Sequence, residues 1–253
     1  MRWSVFGGIA GLVVAAGAAL AAAPEVELPE RQWSFSGIFG TFERDDLRRG
    51  YEVYRNVCSA CHSLDLLRYR ELAQLGYSQD EIKAIAAEQS YTDGPNDQGE
   101  MFERPGLPAD PFKAPFPNEQ AARAANNGAL PPDLSLIVEA RKGGADYVYG
   151  VVVGYEEPPA DLTPQDGQYY NRYFPGHLIA MPPPLSDGAV TYADGTEATI
   201  QQMAADVTGF LAWAAEPNLD ASKRMGVKTV LFLIVFTGLL YAVKRKIWLG
   251  VKH

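Results

Sequence analysis

The chain is 253 residues long, 47% hydrophobic and 21% charged, with 31 acidic against 22 basic residues and only two cysteines. A net charge of −9 excludes the basic surface of a nucleic-acid binder, and two cysteines exclude a disulfide scaffold. All 31 acids but only 14 Lys and Arg fall between residues 24 and 222, a net charge of −17 there, which suggests either a basic partner or plain solubility.

In chain order, the first element is MRWSVFGGIAGLVVAAGAALAAA. Arg2 precedes an apolar run that closes on Ala21, Ala22 and Ala23. This is the charge, apolar run and small-residue order of a secretory signal. It predicts a signal peptide over 1–23 with cleavage near Ala23; an uncleaved anchor is the alternative. One domain follows, 24–222. Leu47, Tyr51, Tyr54, Cys58 and Cys61 step by four and three, predicting one helix with both thiols on its apolar face and Asp45 and Asp46 in its first turn.

The stretch CSACHS, residues 58–63, holds both cysteines and adds His62. A C-x-x-C pair is a redox disulfide, half of a zinc site, or the attachment point of a c-type haem. Zinc needs four ligands, and beyond this stretch the chain has only His177 and His253 and no cysteine. A redox pair has no use for the histidine and sits in a βαβ pattern that is missing here. Haem attachment uses every residue. Cys58 and Cys61 add across the two vinyl groups, and His62 is carried under the iron as proximal ligand.

Further on, Ser78-x-x-Glu81 is a capping box for a helix over 79–88. Residues 80–110 carry eight acids against Lys83 and Arg104, among glycines and prolines, and much of the stretch reads as exposed loop open to a basic partner. Asn118 caps a short helix that stops at Gly128, and Asp133 caps another that ends at Gly143 and Gly144. The proline-rich stretches 105–117, 158–164 and 182–184 are loops. Asp194-Gly195 is a hairpin signal. Thr199-x-x-Gln202 opens a helix with Met203, Val207, Phe210, Leu211 and Ala214 on one face.

The last apolar run, MGVKTVLFLIVFTGLLYAV, covers 225–243. At 1.5 Å per residue it spans about 28 Å, close to the ~30 Å hydrocarbon core. A transmembrane anchor is predicted over 223–243. The tail 244–253 holds Lys244, Arg245, Lys246 and Lys252 with no acid, and Trp248 as an interfacial anchor. The positive-inside rule puts this tail in the cytoplasm and the domain outside.

Iron held by one histidine is open to small ligands; a second strong ligand closes it and leaves electron transfer. The candidates are His177, Met101, Met181 and Met203. Met203 fits the stripe of its helix, and Met101 sits among acids and prolines. His177 and Met181 share YYNRYFPGHLIAMPPPL, where three prolines stiffen the chain behind Met181.

CSACHS, ARAANNGALPPDLSLIVEARKGGADYVYG, YFPGHLIAMPPPL, WAAEP and the basic-flanked apolar run together resemble the cytochrome c1 family, the haem subunit of the cytochrome bc1 complex (ubiquinol–cytochrome c reductase). The resemblance covers nearly the whole chain after residue 23. It implies a mainly α, class I-like c-type cytochrome domain with long loop insertions and one C-terminal transmembrane helix. It implies one covalently bound haem c with Met181 as sixth ligand opposite His62. Arg141 and Tyr147 would bind a haem propionate, for which a planar guanidinium and a phenol are chemically suited. Asn126, Pro131 and Pro132 would line the pocket. Some bacterial relatives tether the region before the methionine with a further cysteine pair; here packing and hydrogen bonds must do so. The resemblance further implies electron transfer from the Rieske iron–sulfur protein to a soluble basic cytochrome c, with quinol chemistry on cytochrome b. The complex would be dimeric, in a bacterial inner membrane, with the haem domain periplasmic. The chain would be an electron carrier, and an enzyme only within its complex. A membrane-anchored haem peroxidase and a free-standing anchored shuttle are the rival readings.

Overall fold

The core lies where two helices far apart in sequence cross. α1 (Arg44–Asn56) buries Leu47, Gly50, Tyr51, Val53 and Tyr54, and α5 (Ile200–Ala215) is buried along most of its length. At Gly50 the two backbones touch. A Cβ there would stand 2.1 Å from the Asp206 carbonyl oxygen and 2.6 Å from Phe210 Cβ, so any side chain would force the helices apart. Beside the crossing, Arg49 reaches Asp206 (3.0 Å), Asp194 (2.8 Å) and Asp46 (2.5 Å). Burial pushes the Asp206 carboxyl up, and Arg49 and Gln202 oppose this with hydrogen bonds. Loss of Arg49 would strand a buried carboxylate, the costly way to break such a pair. Tyr51 and Tyr54 pack their rings on Phe210, each at 5.8 Å.

The structure is a computed structural model that describes residues 26–250; the signal peptide expected over 1–23 lies outside them. After α1 come short 3-10 turns at Cys58–Ala60 and Tyr69–Leu75, then α2 (Gln79–Ala87), β1 (Ser90–Asp93), β2 (Phe102–Pro105), α3 (Glu119–Ala125), α4 (Gly144–Val153), β3 (Tyr169–Tyr170), β4 (Leu178–Ile179), α5 and α6 (Leu219–Trp248). The fold is mainly α, as expected. The expected caps form: Ser78 and Glu81 make a capping box, Asn118 accepts from the Ala121 N–H, and Thr199 from the Gln202 N–H.

Three expectations need correction. α1 stops at Asn56, so the cysteines lie in the 3-10 turn beyond it and not on the helix. A side chain takes one carbonyl that would have continued the helix: Ser59 Oγ donates to that of Arg55 at 2.7 Å, while Asn56 Nδ2 folds back onto the Glu52 carbonyl at 2.7 Å. The acidic stretch is not all loop, because β1 pairs antiparallel with β2. Arg104 on β2 binds Asp93 and Asp110, and Glu103 accepts from Ser90 and Thr92, so these acids organise a hairpin. Finally, Asp194-Gly195 turns the chain without flanking strands. Asp194 is held by Arg49 and by the Thr196 N–H instead.

α6 is the one helix among the described residues long and apolar enough to cross a membrane. None of its residues is buried. Val230 to Val235 are all half or more exposed, a surface that needs a hydrocarbon or protein cover.

Candidate functional site

The CSACHS turn sits at the end of α1. The Cys58 thiol packs against the core, Cys61 is exposed, and neither is in a disulfide. Burial pushes the Cys58 thiol up to about 12. At neutral pH it is therefore a neutral sulfur, unlike the thiolate that binds metal or drives redox exchange. A thioether carries no charge to desolvate and suits this environment. Among the described residues no group of three or more His, Cys, Asp or Glu could hold a metal ion.

His62 is half-buried, and its Nδ1 lies 2.8 Å from the Pro132 carbonyl. Burial lowers its pKa, against the pull of that hydrogen bond and of Asp133, so the ring is held neutral. Nδ1–H donates to the carbonyl, and Nε2 keeps its lone pair. That is the tautomer an iron ligand needs, with the hydrogen bond fixing the ring plane.

A set of hydrogen bonds explains why Pro132 is there. Asp133 accepts from Ser63 Oγ (2.7 Å), the Asp65 N–H (2.8 Å) and the Ser135 N–H (2.9 Å). Leu134 N–H donates to the Ser63 carbonyl at 2.9 Å, and Tyr54 OH to the His62 carbonyl at 3.1 Å. Burial raises the Asp133 carboxyl, but these hydrogen bonds outweigh it and hold the pKa below the usual carboxylate range. Asp133 therefore caps no helix. Residues 135–140 form turns, and α4 begins only at Gly144 behind a left-handed Gly143. The carboxylate expected to start a helix instead binds the histidine loop.

Met181, half-buried, follows β4 by two residues. Its carbonyl accepts from Tyr155 OH at 3.0 Å. Asn171, fully buried, ties the loop to α4. Its Nδ2 donates to the Val151 carbonyl (2.7 Å), and its Oδ1 accepts from the N–H groups of Tyr173 and Phe174. Its own N–H donates to the His177 carbonyl at 2.8 Å. Asn171 and Tyr155 supply the hydrogen-bonded restraint that this cysteine-poor chain requires. Neither residue was singled out in the sequence, where a buried asparagine looks like any loop asparagine.

His177 lies in the same loop at φ 62°, its ring stacked on Tyr170 at 5.7 Å. Its Nδ1 is buried and has no hydrogen-bond partner among the described residues. Met203 is fully buried in the helix crossing, and Met101 is 60% exposed.

The pocket residues are less closely linked. Asn126 ends α3 and donates to the Ala122 carbonyl at 2.7 Å. Pro131 is half-buried and Pro132 exposed. Tyr147 packs partly against the core from α4. Arg141 is exposed, its guanidinium hydrogen-bonded only to the Ala140 carbonyl among the described residues. It borders an open hollow of about 400 Å³ together with Trp33, Phe35, Val138 and Asp146. Of the expected site residues, the structure joins Pro132 to His62; no hydrogen bond or ion pair joins Met181, Asn126, Arg141 or Tyr147 to the CSACHS turn. The donor set nonetheless fits a haem: two sulfurs three positions apart, an imidazole with Nε2 available, a thioether on a restrained loop and an exposed guanidinium with no ion pair among the described residues.

Comparison with known proteins adds a separate line. Residues 33–251 match the model of the Cytochrome C1 family. The chain is 48% identical over 261 residues to cytochrome c1 of Rhodospirillum rubrum, with 96% of each chain covered. It is 51% identical over 225 residues to the mitochondrial protein named cytochrome c1, heme protein, of Saccharomyces cerevisiae, covering 88% of this chain and 73% of that one. It is also 51% identical over 242 residues to the cytochrome b/c1 of Bradyrhizobium diazoefficiens, 87% of this chain but only 35% of that longer protein.

Proposed function

The chain belongs to the cytochrome c1 family, and on that premise we propose that it is the haem-bearing electron carrier of a quinol–cytochrome c reductase. The observation that carries the reading is His62, whose Nδ1 is bonded to the Pro132 carbonyl while Nε2 stays available. A bound haem supplies a one-electron iron couple. Cys58 and Cys61 hold one haem c covalently, and Pro132 and Asp133 orient His62. Met181 would be the second protein ligand to the iron, on a loop restrained by Tyr155 and Asn171. Arg141 and Tyr147 take a propionate, and Asn126, Pro131 and Pro132 line the pocket. Electrons arrive from a Rieske iron–sulfur protein and leave on a soluble basic cytochrome c. Quinol oxidation belongs to cytochrome b, in a dimeric complex. The domain 24–222 lies on the periplasmic side of a bacterial inner membrane after removal of 1–23. The span 223–243 anchors it, and the basic tail 244–253 faces the cytoplasm.

Purification in mild detergent tests this. The chain should copurify with a b-type cytochrome and an iron–sulfur protein, and quinol should reduce its haem only in their presence. Reduction by the chain alone would favour the anchored shuttle, and a carbon-monoxide-binding, high-spin iron would favour the peroxidase.

The acidic surface gives a second expectation, revised by the hairpin. Asp93 is bonded to Arg104, so its reversal would damage the fold. Asp97 and Glu100, exposed on the turn between β1 and β2, are the better probes. With a net charge of −17 over 24–222, steering should raise cytochrome c encounter rates by ~10- to 10³-fold at low salt. Screening over about 8 Å at physiological ionic strength should reduce this steeply. Asp97→Lys with Glu100→Lys should lower the low-salt rate and leave the haem spectrum unchanged. An unchanged rate would move the docking surface elsewhere, and a salt-insensitive wild type would leave the acids as solubilising charge.

A further inference from the structure

The segment before α1 makes a tight loop over residues 34–40. Its neck is closed by Ser36 N–H to the Trp33 carbonyl and Thr41 N–H to the Ser34 carbonyl, both 3.0 Å. Gly37 is left-handed (φ 72°), and a Cβ on Gly40 would lie 2.0 Å from the Ser36 carbonyl oxygen, so the bend requires glycine at both places. One side of the neck is fixed to α4, where Trp33 Nε1 donates to Asp146 at 2.8 Å. The other side is fixed to α6. Lys223 Nζ donates to the carbonyls of Phe35 (2.5 Å) and Gly40 (3.1 Å), and Asp220 accepts from the Phe42 N–H (3.3 Å).

The large apolar side chains left uncovered are at the tip. Ile38 is 69% exposed and Phe39 84%. They sit in a stretch, 32–42, with no charged residue, inside a strongly acidic domain. Both carbonyls that bracket the tip rest on Lys223. That residue is two positions, ~3 Å along the helix axis, before Met225, where the exposed apolar surface of α6 begins. The base of the tip is thus tied to α6 within a turn of the point where the exposed apolar surface of that helix begins.

We propose that Ile38 and Phe39 insert into the bilayer interface beside α6, as a second membrane contact on the side of the domain. With the Lys223 and Asp220 ties, this contact sets the tilt of the acidic head on its anchor. The proposal rests on the reading that α6 spans the membrane. The bilayer is favoured over a protein partner because the base of the tip is tied to that helix beside the start of its exposed apolar surface.

Nitroxide labels on Ile38→Cys and on Phe39→Cys in the full-length holoprotein, reconstituted in lipid nanodiscs, test it. Wild-type protein treated with the same label supplies the background to subtract. Oxygen should reach both labels several-fold better than a water-soluble nickel chelate, as it should at Leu231→Cys in the span. The preference should reverse at Gln98→Cys on the β1–β2 turn. Labels at 38 and 39 that behave like Gln98, with Leu231 in lipid, would overturn the proposal while leaving the span intact. Labels shielded from both reagents would overturn it in favour of a covering protein surface. A nickel-accessible Leu231 would remove the spanning helix, and the proposal with it.

Discussion

Replacing Cys58 and Cys61 together by alanine should yield a chain that retains no haem after denaturation and acid–acetone extraction, whereas the wild type should retain all of it. The two thiols are the only ones in the chain, so no other residue can add across a vinyl group to form a covalent thioether link. The single variants should differ in degree. The Cys58 thiol packs against the core, while Cys61 is exposed. Cys58→Ala therefore loses core contacts as well as a link, and should give less holoprotein than Cys61→Ala. Each single variant that survives should show the spectrum of one saturated thioether and one intact vinyl. Burial that raises the Cys58 thiol to about 12 also bears on the wild type. A protonated thiol resists alkylation at neutral pH, so apoprotein should react first at Cys61. Haem that extracts freely from the wild type would end the electron-carrier reading.

What could be read along the chain followed how local each interaction is. The caps at Ser78, Asn118 and Thr199 involve partners three residues away, and all three form. The apolar stripe of α1 held through Tyr54 because packing on Phe210 follows helical period. It failed at Cys58 because Asn56 and Ser59 side chains turn back on the helix, and periodicity says nothing about where hydrogen bonding to side chains stops it. Asp133 was misread for the same reason reversed. Its local pattern is that of a cap, but Ser63 and Asp65, far away in sequence, claim the carboxylate. The β1–β2 hairpin was hidden because its strands carry charges, and only Asp110, beyond the hairpin, completes the partner set of Arg104. In the site, Cys58, Cys61 and His62 were legible from contiguity. The support under them was not: the Pro132 carbonyl, Tyr155 and Asn171 act through backbone groups, which no residue pattern displays.

Met181→Leu should lower the haem potential by on the order of 0.1 V or more, because a thioether favours ferrous iron and raises the potential of a methionine–histidine haem. It should also open the iron to carbon monoxide and slow electron delivery to cytochrome c. Leucine keeps the volume of the side chain, so the loop should still be held by Tyr155 OH on the residue 181 carbonyl and by Asn171. The rival ligand in this loop is His177, whose buried Nδ1 has no hydrogen-bond partner among the described residues. Its ring is stacked on Tyr170, and its backbone is left-handed at φ 62°. That conformation makes the obvious variant ambiguous. Alanine there keeps a strain of ~1 kcal/mol that could itself shift the loop, whereas glycine adopts it freely. His177→Gly should therefore leave a six-coordinate, low-spin haem with its potential little changed. His177→Ala should match it in ligation while being slightly less stable to heat. If both His177 variants open the iron and Met181→Leu does not, the sixth ligand is the imidazole. Asn171 would then be positioning His177 through the carbonyl it already holds, while Tyr155 holds the loop at the residue 181 carbonyl.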